Sequence, residues 1–439
     1  MRSRLTVALG RTARLAARVR GGGSGGTAFP GLVMERTDPG FLERTLGRLP
    51  RGVIVVSGTN GKTTTTKMVV QLLREQGLKV FTNRTGSNFV RGVLASLLTE
   101  VDAAGRLDAD IAVLELDEAH AVHFVARVRP RACLLLNVMR DQLDRFGEID
   151  YTASLLHSIA KATSDVVVLN GDDPRLAAPA FLEGVSARVV SFGTGEDLRS
   201  LFLSDDDLRT GQTGPRAHQD ESQIPGPRVT LEAIDGQRAT VRVDGASHEV
   251  DFAIPGVHNL LNACAALGVV LEVLGEDADL PGLLATLGTV QAAFGRGEVL
   301  TLDGRPVQLS LVKNPAGFRM GLLSAAAQAQ SGEVVVVAIN DEYADGRDMS
   351  WLWDVDFAAL RPGGVAVVTG VRAWDMALRL RYDDVEVTDV EPDLRKAVAL
   401  MRRVAADTDR PMRIFTTYTA MLALRSILGE MTDVEEVMS

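Results

Sequence analysis

The residues best suited to chemistry form a glycine-rich segment near residue 60. A run from Val53 predicts a buried strand, which leads through a turn into a helix beginning near Lys62. Such a turn points successive backbone N–H groups at a phosphate, and the helix N-terminus adds its positive dipole end. The lysine would reach the β- and γ-phosphates of a nucleotide, and the Thr63 hydroxyl would bind Mg²⁺. The predicted phosphate-binding residues are Gly58, Thr59, Asn60, Gly61, Lys62, Thr63 and Thr64. The segment departs from the full P-loop pattern at Val56, which stands where the first glycine is expected.

The elements that must position this turn follow an α/β rhythm from Gly52 to about Gly193. Further buried strands are predicted at Ile111–Leu114, Cys133–Val138 and Val166–Leu169. Short β-branched runs alternating with helical stretches are typical of a parallel sheet covered on both faces. Alternating residues over Val229–Phe252 predict an antiparallel hairpin pair, and Asn259–Leu274 predicts a buried helix.

A second α/β rhythm begins near residue 300, with strands expected at Val334–Ile339 and Val365–Thr369. The predicted fold class is therefore α/β, with a P-loop, parallel-sheet domain followed by a Rossmann-like C-terminal domain. The expected boundaries are 1–50 for a basic N-terminal segment and linker, 51–298 for the nucleotide-binding middle domain and 299–439 for the C-terminal domain. Residues 199–228 are rich in Asp, Gly, Gln, Pro and Ser, which predicts a mobile surface insertion.

Composition excludes several classes of protein. The 439 residues include 57 acidic and 47 basic side chains, and the net charge of −10 argues against nucleic acid as a partner. The two cysteines, Cys133 and Cys264, are too few for a disulfide framework or a four-thiolate zinc site. We expect buried, inert thiols and a cytoplasmic location. No run of about eighteen apolar residues is evident, so we expect no membrane-spanning segment.

The first twenty residues contain six arginines and no acidic residue, in a pattern that fits a basic amphipathic helix. One interpretation is a peripheral contact with the anionic inner face of the plasma membrane. The other is a solvated helix that caps the first domain. The sequence leaves both open.

Five segments together resemble the Mur ligase family, which joins amino acids to peptidoglycan precursors through acyl phosphates. They are Gly58–Thr63, Leu114–Glu118, Asn137–Asp144, Gly256–Ala263 and Phe294–Glu298. The resemblance implies ATP and Mg²⁺, with Glu115 as a metal ligand and Glu118 as its rival. It also implies that Asn259 and Asn262 contact adenine and that Arg296 contacts the γ-phosphate. The alternatives are a strand-end carboxylate facing water, helix-capping asparagines and a surface arginine.

The chain departs from amino-acid-adding Mur ligases at three places. Gln142 stands where the family has a metal-binding histidine, and Leu155 stands at the position of its carbamoylated lysine. Ser310–Lys313 replaces the stretch whose aspartate holds the ribose. These departures predict that the usual two-metal site is incomplete.

Segments of the second half resemble the MurT family, the ligase subunits of lipid II isoglutaminyl synthase. They are Leu311–Phe318, Asn340–Asp354, Thr369–Arg372 and Thr416–Met421. The resemblance implies a heterodimer with a GatD-type glutaminase and lipid II as substrate. Many members carry a four-cysteine zinc ribbon, which this chain lacks, so we expect no zinc.

The same resemblance implies a role for an acidic residue of the C-terminal domain. Asp348 would orient the histidine of the partner's Cys-His pair, with Asp345 as its close rival and a simple turn as the alternative. The predicted catalytic residues are therefore Lys62, Arg296 and Asp348. Trp351, Trp353 and Phe357 belong to the core or to a partner surface.

The implied activity is ATP-dependent phosphorylation of the D-glutamate α-carboxylate in the lipid II stem peptide, followed by amidation to D-isoglutamine. Two other hypotheses remain. One is a stand-alone Mur-like or folylpolyglutamate-synthase-like amino-acid ligase, and the other is a nucleotide-binding scaffold.

Overall fold

The computed structural model describes residues 2–20, 28–83, 88–140, 149–202, 204, 224, 226–291, 296–328 and 332–431. Most of the predicted insertion at 199–228 therefore lies outside the described residues. The chain divides into two compact units. The first comprises Met1–Val138, Ile149–Ala253 and Asn259–Val290, and the second is formed mainly by Gln291–Ser439.

The first unit is built on a nine-stranded sheet with the order β2-β3-β1-β4-β5-β6-β7-β8-β9. Pairing is parallel from β2 to β7 and antiparallel from β7 to β9. Its central strands are buried along their whole length, as expected where helices cover both faces of a parallel sheet. The strands are β1 (Val53–Ser57), β2 (Val80–Thr82), β3 (Ile111–Glu115), β4 (Ala132–Leu135), β5 (Val166–Asn170), β6 (Arg188–Thr194), β7 (Val229–Asp235), β8 (Arg238–Val243) and β9 (Ala246–Asp251).

Helices cover this sheet. They are α1 (Arg2–Arg20), α2 (Ala28–Thr37), α3 (Phe41–Leu46), α4 (Lys62–Glu75), α5 (Val90–Glu100), α6 (Glu118–Val125), α7 (Ile149–Ala162), α8 (Pro179–Leu182), α9 (Val257–Leu274) and α10 (Leu280–Thr289). The stretch Val257–Asp277 is long and apolar enough to cross a membrane, by length and composition alone. Because 78% of its most apolar window is buried, α9 is a core helix of this unit.

The second unit contains a six-stranded sheet with the order β10-β11-β15-β12-β13-β14. Only the β10–β11 pair is antiparallel. The strands are β10 (Arg296–Leu302), β11 (Arg305–Leu311), β12 (Val334–Ala338), β13 (Val365–Thr369), β14 (Val387–Glu391) and β15 (Met412–Thr416). The helices are α11 (Pro315–Gln328), α12 (Ala373–Tyr382), α13 (Leu394–Thr408) and α14 (Tyr418–Gly429).

An aromatic cluster fills one face of the second sheet. The Phe318 ring lies 4.9 Å from Phe357 in an edge-on contact and 5.3 Å from Phe415, between ring centroids. Trp351 and Phe357 are buried, whereas Trp353 is exposed. Trp351 and Phe357 therefore belong to the core, and a partner surface stays a prediction for Trp353 alone.

The predicted α/β class with its parallel sheets is confirmed. Two details differ from expectation. The Val229–Phe252 region forms three antiparallel strands, and the β10–β11 hairpin was not predicted. Both lie at sheet edges, where the alternation of apolar and polar residues is a weaker signal than a continuous apolar run.

Candidate active site

The predicted phosphate loop lies at the carboxyl end of β1, between that buried strand and α4. Gly58 and Gly61 have φ angles of 132° and 89°, in the region that favours glycine. A Cβ atom at Gly61 would lie 2.6 Å from Oδ1 of Asn262, and one at Gly58 would lie 3.0 Å from the backbone nitrogen of Asn137. Both glycines are therefore required by backbone conformation and by space.

Asn137, in the segment after β4, clamps this loop. Its Oδ1 accepts a hydrogen bond from the Asn60 backbone N–H at 2.8 Å, and its Nδ2 donates to the Asn60 carbonyl at 3.0 Å. The Thr59 N–H also donates to the Asn137 carbonyl, at 3.1 Å. These contacts fix the backbone conformation of Thr59 and Asn60.

Asp173 supports the clamp from the segment after β5. Its carboxylate accepts a hydrogen bond from the Val138 N–H at 2.6 Å and others from the N–H groups of Arg175 and Leu176. Burial raises the pKa of Asp173 to about 6, against the opposing effect of these donors. Asp173 thus holds the residue next to Asn137.

Lys62 is the first residue of α4 and is only 7% exposed. Its Nζ donates to the carbonyl of Gly58 at 2.6 Å and lies 3.1 Å from Oε2 of Glu118. A buried ammonium is tolerated only with such partners, because desolvation of an unpaired charge is costly. Glu118, the rival metal ligand, is thus the counter-ion of Lys62.

The other predicted metal ligands meet beside this pair. The Thr63 hydroxyl donates to Oε1 of Glu115 at 2.9 Å, and the Glu115 side chain is buried. Asn83 orients Glu115 through two backbone hydrogen bonds, of 2.8 and 2.9 Å. A hydroxyl and a carboxylate are hard oxygen donors of the kind that bind Mg²⁺ when substrate phosphates and water complete the shell.

The remaining residues predicted to touch the nucleotide are placed as follows. Thr64 is buried in the first turn of α4. Asn262 lies against Gly61, and its Nδ2 is 3.4 Å from Oδ1 of the buried Asn259. Arg296 is the first residue of β10 in the second unit, and its side chain lies outside the described residues, so its contact with the γ-phosphate stays a prediction.

The positions that departed from the amino-acid-adding ligases differ in what the structure shows. Leu155 is buried in α7, so an apolar side chain occupies the position at which the family resemblance implies a metal-bridging lysine. Gln142 falls outside the described residues.

Asp345 and Asp348 occupy different environments in the loop after β12. The Asp345 carboxylate is buried and accepts hydrogen bonds from the N–H groups of Glu342 and Thr419 and from the Thr419 hydroxyl. Asp348 is partly exposed, and its Oδ1 accepts from the Ser350 N–H at 2.9 Å. Hydrogen bonds from the Ser350 hydroxyl and backbone hold the pKa of Asp348 below its ordinary value.

Large apolar side chains are also exposed on the surface of the second unit. Trp374, Leu378 and Tyr382 project from α12 at helical spacing, and Trp374 is 66% exposed. The Tyr382 ring packs edge-on against Trp353 at 5.2 Å. We call these four residues the α12 aromatic surface. Contiguous exposed apolar residues of this kind mark protein interaction sites.

Sequence reasoning assigned no role to Asn83, Asn137 as a clamp, or Asp173. Asn137 begins the Asn137–Asp144 segment that resembles the Mur ligases. For Asn83, the available signal was an asparagine directly after the apolar residues of β2. The two cysteines are buried as expected, and burial raises the pKa of each thiol to about 12.

Comparisons with known proteins agree with this geometry. The profile of the Mur ligase middle domain matches residues 56–270, and that of the MurT ligase C-terminal domain matches residues 311–421. The crystal structure of MurF ligase from Thermotoga maritima in complex with ADP superposes with a TM-score of 0.66 at 18% identity, covering 90% of this chain and 83% of that one. The fold and the phosphate loop therefore define a protein of the Mur ligase class.

Two relatives narrow the assignment. The protein named lipid II isoglutaminyl synthase (glutamine-hydrolyzing) subunit MurT from Staphylococcus aureus is 30% identical, over 91% of this chain and 92% of its own length. The protein of the same name from Streptococcus pneumoniae is 29% identical, over 94% of this chain and 95% of its own length. The chain belongs to the MurT family.

Proposed function

We propose that this chain is the ATP-dependent ligase subunit of a lipid II isoglutaminyl synthase, a glutamine-hydrolysing carbon–nitrogen ligase. The observation that carries the proposal is the buried Lys62–Glu118 pair at the phosphate loop of a MurT-family chain. The Lys62 ammonium lies within the loop, 2.6 Å from the Gly58 carbonyl oxygen. It can replace its hydrogen bond to that carbonyl with one to a phosphate oxygen.

The residues around the loop fit ATP and Mg²⁺. The loop conformation held by Asn137 and the positive end of α4 suit the phosphate chain, and Asn259 and Asn262 are the proposed adenine contacts. Thr63 and Glu115 would hold Mg²⁺, which would neutralise charge on the phosphate oxygens. Because the reaction consumes ATP, we locate it in the cytoplasm.

The proposed chemistry has two steps. One oxygen of the D-glutamate α-carboxylate attacks the γ-phosphorus of ATP, and ADP leaves, which yields an acyl phosphate. The nitrogen lone pair of ammonia then attacks the acyl carbon, phosphate departs with the former carboxylate oxygen, and the nitrogen loses a proton. Lys62 and, as the family resemblance implies, Arg296 would stabilise the charge that develops on the transferring phosphoryl group.

Ammonia as the nucleophile would account for the departures from the amino-acid-adding ligases. Leu155 gives a core side chain where the amino-acid-adding enzymes need a lysine. Free ammonia is scarce at neutral pH because it is mostly protonated. A GatD-type glutaminase partner would release it close to the acyl phosphate, which raises its effective concentration.

Asp348 is the proposed positioning residue for that partner. Its carboxylate is ionised at neutral pH and partly exposed, so it can accept a hydrogen bond from the partner's catalytic histidine and select one imidazole tautomer. Asp345 is less suited to this role, because Thr419 and Glu342 already donate to its buried oxygens. The α12 aromatic surface is the proposed docking surface for the same partner.

The nitrogen source tests this division of labour. The purified chain with ATP, Mg²⁺, lipid II and ammonium should form amidated lipid II, whereas glutamine should serve only after the glutaminase is added. Amidation with glutamine by this chain alone would refute the proposal. Addition of an amino acid to the precursor would identify a stand-alone ligase, and ATP binding without product under every condition would identify a scaffold.

A further inference from the structure

Helix α1 is anchored to the first unit by one face. Val7 and Ala13 are buried, and a Cβ atom at Gly10 would lie 3.0 Å from both Cγ of Met34 in α2 and Cδ1 of Leu98 in α5. Farther along the helix, the Arg11 guanidinium donates to the carbonyl of Val101 at 2.9 Å. This close packing holds α1 as a cap on the unit.

The opposite face of α1 carries large apolar side chains in solvent. Leu5, Leu9 and Leu15 are 62%, 40% and 63% exposed. At about 100° per residue they fall within an arc of roughly 120°. Within residues 5–16, the other residues on this arc are small and uncharged, namely Ala8, Thr12 and Ala16. Single exposed leucines are ordinary on a protein surface, but three on one arc form a ridge. We call this face the leucine ridge.

The charge around the leucine ridge has one sign. Arg4 and Arg11 are exposed at its edge, and α1 contains six arginines. No acidic residue precedes Glu35, although the whole chain has a net charge of −10. An anionic surface therefore attracts this helix and repels most of the rest of the molecule, which would fix both contact and orientation.

We propose that the leucine ridge of α1 docks on an anionic lipid bilayer, lying in the plane of the headgroups. The ridge is convex, with only Thr12 offering a polar group among its leucines and alanines. Fluid acyl chains accept such a shape without a matching pocket, whereas a protein partner needs complementary packing and paired polar groups. The cap and the membrane contact then use opposite faces of one helix.

The inference does not depend on the proposed function. It rests on the burial and charge of α1, and its test contains neither nucleotide nor lipid II. Amidation measured with detergent-dispersed substrate reports on the ligase separately, so failure of one leaves the other standing.

Co-sedimentation of the full-length chain with vesicles tests the proposal. Vesicles of equal parts phosphatidylglycerol and phosphatidylcholine should bind the chain at low salt, and pure phosphatidylcholine vesicles should bind it at least about tenfold more weakly. The triple variant Leu5→Ser/Leu9→Ser/Leu15→Ser should reduce binding about tenfold or more. Arg18 follows Arg4 by 14 residues, which places both on the same side of α1. The double variant Arg4→Gln/Arg18→Gln should therefore also reduce binding about tenfold or more. The matched controls Val299→Ser/Met431→Ser and Arg403→Gln/Arg410→Gln change exposed residues of the second unit and should bind as the unchanged chain does.

Several results would overturn the proposal. One is the absence of binding to anionic vesicles, and another is an equal loss in the control variants. Unchanged binding by the triple leucine variant, with a cooperative thermal transition like that of the parent chain, would exclude the leucine ridge. If the parent chain does not bind vesicles and the triple variant no longer binds the glutaminase partner, the leucine ridge docks a protein instead.

Discussion

The carboxyl ends of the two parallel sheets are built in opposite ways. At the first sheet, Lys62 is paired with Glu118, and asparagine side chains hold the backbone around them. At the second sheet, Asp345 closes a similar internal network with Thr419, while Asp348 and Trp374 face outward. One end is closed on itself, and the other presents carboxylate and aromatic groups to its surroundings.

The difference indicates what kind of ligand or partner each sheet end can bind. A small anion can replace the internal partners of Lys62 one for one, so the closed end suits a phosphate chain. The outward groups at the second sheet gain little from a small ligand, because hydrogen bonds to exposed carboxylates compete with water. Exposed tryptophan and tyrosine gain most when a large surface covers them.

The largest expected effect comes from the closed end. Lys62→Ala should lower amidation about 10⁴-fold or more with either nitrogen source, because charge on the transferring phosphoryl group loses its counter-ion. The rate of isoglutamine formation from ammonium and from glutamine measures this loss. Lys79→Ala removes an exposed lysine of the same unit, paired with Asp108, and should change neither rate. A Lys62→Ala enzyme that retained activity with ammonium would separate this residue from the chemistry.

Asp348→Asn should lower glutamine-driven amidation without affecting ammonium-driven amidation. Glutamine-driven turnover should fall on the order of 10³- to 10⁴-fold, because an amide no longer selects the reactive tautomer of the partner histidine. Ammonium-driven turnover should stay unchanged. Asp356→Asn is the matched control, since Asp356 accepts an N–H bond from Ala358 just as Asp348 does from Ser350. Equal loss of both activities in Asp348→Asn would assign that residue to the ligase site or to folding.

The α12 aromatic surface should act on affinity alone. Trp374→Ser should weaken binding of the glutaminase about thirtyfold, as expected for an aromatic residue at the centre of an interface. Titration of the partner by calorimetry gives the affinity, and saturating partner should restore glutamine-driven turnover. Tyr151→Ser, which changes an exposed aromatic residue of the first unit, serves as the control. An unchanged dissociation constant for Trp374→Ser would place the docking surface elsewhere.

The smallest expected effect comes from Asp173, which supports the phosphate loop through the residue next to Asn137. Asp173→Asn should weaken ATP binding about tenfold. The asparagine NH₂ group would face one of the backbone N–H groups that now donate to the carboxylate, and two donors cannot form a hydrogen bond. Fluorescence titration with a nucleotide analogue would measure the change. Asp165→Asn, at a surface pair with Arg131, should leave the affinity unaltered. Identical affinities in the two variants would show that Asp173 does not position the loop.

The contribution of Asp173 to the stability of the folded chain should decrease as the pH rises. Its pKa is raised from 3.8 to about 6 by burial, so the folded chain holds this proton more tightly than the unfolded chain. The contribution of this group to the free energy of unfolding is therefore present in full below about pH 4 and is lost as the pH rises through about 6. Thermal unfolding between these pH values should show this dependence in the parent chain and its absence in Asp173→Asn.

The sequence was most informative where the signal is local. The strand, the glycine turn and the first turn of α4 are contiguous, and Gly58 and Gly61 adopt the backbone conformations that their type suggests. The α/β class followed from continuous apolar runs such as β1 and β3, which are buried throughout.

Pairings across long sequence separations could not be predicted in the same way. Lys62 and Glu118 are 56 residues apart, and their pairing depends on the parallel alignment of β1 with β3. Asp345 and Asp348 share a residue type and a loop, and Thr419, 74 residues from Asp345, distinguishes them. The sequence does not decide between the two interpretations of α1, because helical periodicity shows that its faces differ without showing which face is covered.

The transfer of oxygen tests the central claim most directly, namely that this chain activates a carboxyl group by phosphorylation. Lipid II labelled with ¹⁸O in the D-glutamate α-carboxylate would be amidated with ammonium, and the released phosphate analysed by mass spectrometry. The account predicts one ¹⁸O atom in each phosphate released during amidation. Unlabelled phosphate accompanying labelled amide product would contradict it.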